Sequence, residues 1–119
     1  MKIEPMLQKI KRNPDFGKAG MILVHNGVVR QTSRNGRLVT GLKVKVNHAR
    51  LQDILAEHKS QPGILDILIE IVEDKELKVG DDVMLLAVAG DVRENVIATL
   101  TSMINAVKST VTHKTEYYQ

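Results

Sequence analysis

Cysteine and tryptophan are absent from these 119 residues, and phenylalanine occurs once and tyrosine twice. Without cysteine there is no disulfide, no thiolate metal site and no cysteine nucleophile. So few aromatics leave little on which unpaired bases could stack, so no nucleic-acid partner is expected. Long apolar runs are missing as well: the longest, Val83 to Ala89, is far short of the roughly 18 residues a membrane span requires. No basic start, apolar stretch and small-residue cleavage site open the sequence, which makes the cytoplasm the expected compartment. Repeats, low-complexity tracts and linkers are also lacking. The length suits one domain, residues 1–119, around one core.

What the chain does have is an uneven distribution of charge. The formal net charge is only +3, yet no acid occurs between Asp15 and Asp53, while Lys18, Arg30, Arg34, Arg37, Lys43, Lys45 and Arg50 all do. From Asp53 to Glu94 the balance is acidic. A basic segment in a folded chain attracts anions, and a small phosphorylated or carboxylated ligand or an acidic protein suits it; on charge alone, a solvated basic face without a ligand is the commoner explanation.

Local patterns outline an α+β chain. Pro5 suits a first helical turn, and Met6, Leu7 and Ile10 recur at helical spacing to about Arg12. Gly20 to Arg30 reads as a strand, in which Gly27 marks a bulge or a close backbone approach. Asn35-Gly36 is the strongest hairpin signal. Leu42, Val44 and Val46 alternate with Lys43 and Lys45, as in a strand with one wet face. Asn47 caps a predicted helix from His48 to about Lys59. Ile64 to Glu73 and Val83 to Ala89 are further strands, joined by a turn around Gly80. Asp91 and Glu94 form a capping-box pattern ahead of a helical stripe reaching Lys108. The tail from Thr110 to Tyr118 reads as extended. Helices packed against a mainly antiparallel sheet are the predicted architecture.

No phosphate loop, dinucleotide fingerprint or paired-histidine metal motif is present, so neither a metal nor a cofactor is expected. The histidines His25, His48, His58 and His113 are scattered. More informative is an ordered set of short pieces: Gly27-Val28-Val29-Arg30, the acidic turn Leu77 to Asp81, Gly90 to Arg93, Lys108, and His113-Lys114-Thr115-Glu116. In order and spacing this set resembles the large, catalytic subunit of molybdopterin synthase.

The resemblance implies that family's hammerhead-like α/β fold and its reaction. A ubiquitin-like small subunit inserts a thiocarboxylated Gly-Gly terminus, and sulfur passes to a cyclic pyranopterin monophosphate. By the same resemblance Arg30 and Arg93 bind the phosphorylated pterin, Lys108 and Lys114 are the catalytic lysines, and the protein is a homodimer. Arginine's planar fork suits phosphate, and a partly desolvated lysine among other cations can take part in proton transfer. Each residue also has an ordinary explanation. The helix dipole favours Lys108 at a C-terminus, and Lys114 could protect an edge strand. Arg93 in a first helical turn, where the dipole disfavours a cation, calls more for a functional reason. The chain departs from the family pattern at Val92 and at Val72-Glu73, where histidine and histidine-arginine are usual, at His113 in place of tryptophan, at Thr115 in place of a basic residue, and at His25 in place of phenylalanine. A non-catalytic anion- or partner-binding homologue on the same fold is the alternative.

Overall fold

A computed structural model describes residues 2–119 as two three-stranded antiparallel sheets with three α-helices. In chain order the elements are α1 (Ile3–Lys11), β1 (Met21–Val28), β2 (Val39–Val46), α2 (His48–Lys59), β3 (Ile64–Ile71), β4 (Leu77–Lys78), β5 (Asp82–Gly90), α3 (Arg93–Ala106) and β6 (Thr112–Tyr118). The first sheet has the order β1-β5-β3 and the second β4-β2-β6. No described helix is long and apolar enough to cross a membrane.

The apolar run of β5 follows from its position. A strand buried on both faces has no reason to alternate, and β5 is the middle strand of a sheet covered on two sides. Leu86 and Val88 pack with Leu51 and Ile54 of α2 and Val96 and Met103 of α3. On the other face Leu85, Ala87 and Ala89 meet Met6 and Ile10 of α1. Asn47 caps α2 as expected, its Oδ1 accepting from the Arg50 N–H at 3.0 Å. A separate, smaller cluster of Val29, Val39, Leu42, Val44 and Leu77 lines the second sheet.

Two local expectations need correction and one needs limits. The Asn35-Gly36 turn forms, with Gly36 at φ +85°, and closes a short hairpin through the antiparallel Thr32–Leu38 bridge, but the long strands beyond it do not pair with each other: β1 pairs with β5 and β2 with β6. The chain leaves the first sheet at Val29, whose N–H donates to Asp81 O at 2.9 Å and whose carbonyl accepts from the Gly80 N–H at 2.8 Å. That clamp needs the tight turn at Gly80, where φ is +91° and only glycine is unstrained. At α3 the capping box is not made, because Asp91 Oδ1 accepts from the Val92 N–H and, at 2.9 Å, from Asn95 Nδ2. Its carboxyl is accordingly held below the ordinary range, chiefly by Asn95 and then by Val92, while Glu94 pairs with Arg93. Finally, α3 ends at Ala106 and Val107–Val111 form a wider π turn, so Lys108 lies beyond the regular helix.

Candidate functional site

Where β1 ends, residues of both sheets line a cleft of about 630 Å³ with an annex of about 250 Å³. Gly27 and Met84 of the first sheet and Leu42 and Val44 of the second give it an apolar floor. Strand periodicity sets which β6 residues reach it: Lys114 sits opposite Val44 and Glu116 opposite Leu42, on the face those two apolar side chains share. The π turn brings Lys108 to the rim directly after the buried Val107.

Three of the four residues singled out in the sequence therefore meet. Lys108 and Lys114 border both the cleft and the annex, and Arg30 borders the annex. Arg30 Nε donates to Thr32 O at 2.7 Å, which fixes the guanidinium against its own loop. Lys114 Nζ lies 4.0 Å from Glu116 Oε1 with 58% of its side chain exposed, a pair of little energetic weight. Lys108 is exposed too, so neither lysine has the partial desolvation expected of it.

Arg93 stands apart. It follows Gly90, which pairs with Met21, whereas the cleft lies at the opposite end of the sheet, where Gly27 pairs with Met84. The stretch of β5 from Met84 to Gly90 separates the two ends by roughly 20 Å at the usual rise per residue. Its side chain is 79% exposed and paired with Glu94, and it borders neither cavity. Within one chain, Arg30 and Arg93 do not share an anion site.

Two cleft residues carried no individual prediction. Arg34, from the turn after β1, borders both cavities; only its place in the basic segment hinted at this. His25 borders the main cleft. It precedes Gly27 by two, so strand alternation puts both on one face, a relation visible in the sequence. Its imidazole is held below the ordinary pKa by burial and, second, by the charge of Lys108. The other histidines have local explanations where bonds are made: His48 with Glu73 at 2.8 Å, and His58 with Ile54 O and Ser102 Oγ.

Among the described residues the lining carries Arg30, Arg34, Lys108 and Lys114 against the single carboxylate of Glu116. An apolar floor under such a rim suits a slender chain ending in an anion, or a compact anion with an apolar body.

Residues 2–110 match the sequence profile of the family described as MoaE protein. No curated protein sequence matches the chain. Among solved structures, the chain is similar to molybdopterin synthase from Staphylococcus aureus, with a TM-score of 0.79 and 20% identity over 99% of this chain and 86% of that one. The molybdopterin biosynthesis MoaE protein from Burkholderia ambifaria gives 0.77 and 18% over 100% and 81%. A complex of subunits 1 and 2 of the molybdopterin-converting factor from Helicobacter pylori gives 0.72 and 17% over 99% and 84%.

Proposed function

The chain belongs to the MoaE protein family, which serves molybdenum cofactor biosynthesis, and on that premise we propose that it is the large, sulfur-transferring subunit of a molybdopterin synthase. Its partner in this reading is a small ubiquitin-like subunit ending in Gly-Gly, as the two-subunit complex from Helicobacter pylori favours. The partner's thiocarboxylated tail occupies the cleft between the sheets, and sulfur passes from its acyl carbon to a phosphorylated pterin.

The observation that carries this reading is the meeting of Arg30, Lys108 and Lys114, distant in sequence, around one opening. Lys108 and Lys114 act where the acyl sulfur is displaced, and Arg30 holds the substrate phosphate as charge develops. Arg93 can serve such a cleft only from a second copy, and the proposed assembly is a homodimer with a small subunit on each protomer.

Thiocarboxylated partner and cyclic pyranopterin monophosphate incubated with wild type and Lys114→Ala test the proposal through the molybdopterin formed. Wild type should give product, and the variant at least 10²-fold less with partner binding nearly unchanged, as for a group acting mainly in the transition state. Equal activity would remove Lys114 from the site. No product from wild type despite tight partner binding would favour the non-catalytic homologue, to which the missing histidine at Val92 already points.

A further inference from the structure

The ring of His25 borders the cleft, yet its Nε2 is shut off from solvent with no hydrogen-bond partner among the described residues. A buried polar atom in that condition costs stability unless something else uses it. Gly27 lies close by: a Cβ added there would stand 3.3 Å from Nε2 and 3.9 Å from Met84 Cβ. Glycine thus leaves this nitrogen just enough room. A half-turn of the imidazole about its Cβ–Cγ bond keeps the ring's outline and exchanges Nε2 with Cε1, so a carbon can fill the enclosed place and the nitrogen be released.

We propose that His25 is a ligand-binding residue of the cleft, whose neutral imidazole turns to hydrogen-bond the peptide groups of a glycine tail held at its anionic end by Lys108 and Lys114. The proposal rests on the reading above that a Gly-Gly tail enters here, and adds the residue that recognises its backbone. A tail without side chains offers only peptide N–H and C=O groups along its length, and neutral imidazole has one acceptor and one donor to match them.

The surroundings keep the ring neutral. Lining the same cleft are Lys108 from the π turn, Lys114 from β6 and Arg34 from the loop after β1, all cations, with Leu42 and Val44 from β2, Ile71 from β3 and Met84 from β5. Among the described residues no carboxylate borders this part of the cleft, and the amide of neighbouring Asn26 is engaged by Asp82 and Met84 O. Burial and the charge of Lys108 work against the imidazolium in the same sense.

The test uses the intact chain and a synthetic peptide ending in Gly-Gly with a free carboxylate, followed by imidazole ¹⁵N NMR and calorimetry. At pH 7 the His25 nitrogens should report a neutral ring, and Nε2 should shift on titration with the peptide. His25→Phe should weaken peptide binding about fivefold to tenfold, the worth of one hydrogen bond, and His25→Gln, which restores an amide donor and acceptor, should recover most of that. Unchanged affinity in His25→Phe, in a wild type that does bind the peptide, would overturn the role of His25 alone. Absence of peptide binding in wild type would overturn the tail-binding reading and this inference together.

Discussion

The first sheet is dry on both faces at its centre and the second has one apolar layer. Residues 84–90 of β5 are all buried, with helices on either side, whereas β2 buries Leu42 and Val44 and leaves Lys45 exposed. The division of chemistry follows the same line. The dry sheet contributes only neutral groups to the cleft, among them His25, Gly27, Ile71 and Met84. Every charged group there comes from the thinner sheet or from the connections: Lys114 and Glu116 from β6, Arg30 and Arg34 from the segment after β1, Lys108 from the π turn. A deeply packed sheet thus backs a cleft whose working groups sit on elements with fewer buried contacts, where local opening costs less.

That contrast is open to direct attack. The largest stability effect should come from Leu86→Ala, because Leu86 is 0% exposed and packed among side chains of α2 and α3. A loss toward the upper end of ~2–5 kcal/mol is expected. Leu42→Ala, at 8% exposure in the second sheet, should lose toward the lower end of that ~2–5 kcal/mol range. Urea unfolding measures both, and equal losses would erase the distinction between the sheets. Next, Asn47→Ala removes the α2 cap and should cost about 1 kcal/mol, which sharpens the comparison by loosening a helix that belongs to the core of the first sheet.

The smallest effect concerns pH. The folded pKa of His25 is below its ordinary value of 6.5, so the unfolded chain takes up a proton first as pH falls. Its contribution to stability is constant above about 6.5, declines as pH drops from there to the folded pKa, and is flat below it. The wild type should therefore lose slightly more stability than His25→Phe between pH 7 and pH 5. Parallel curves would mean that the ring is no more buried than free histidine.

What was legible in the sequence depended on the range of the cause. α2 came out with its observed bounds because Asn47, the stripe of Leu51 and Ile54, and Pro62-Gly63 are all local signals. The basic segment and the ordered motifs led to Arg30, Lys108 and Lys114, which do meet. Sheet membership was not legible, since Asn35-Gly36 closes its short local hairpin whether or not the long strands beyond it pair. Their partners are fixed instead by β5 and β6, far along the chain. The separation of Arg93 from Arg30 within one chain is not legible for the same reason: motif order says nothing about which end of β5 a residue occupies. His25 was passed over because a lone histidine in a strand signals nothing until Lys108 is brought beside it.

The π turn gives the site an unusual sensitivity to chain length. Lys108 lies within it and Lys114 beyond it, on a strand whose alternate residues face opposite ways. Losing one residue between them would advance β6 by one step. Thr115 and Tyr117 would then stand where Lys114 and Glu116 now face the cleft, and Lys114 would turn outward in the place of His113. A point substitution alters one side chain of this wall, whereas a single-codon deletion in this stretch would exchange the whole inner row for the outer one. Insertions and deletions between Val107 and Val111 should therefore be far rarer among functional relatives than replacements at the same positions.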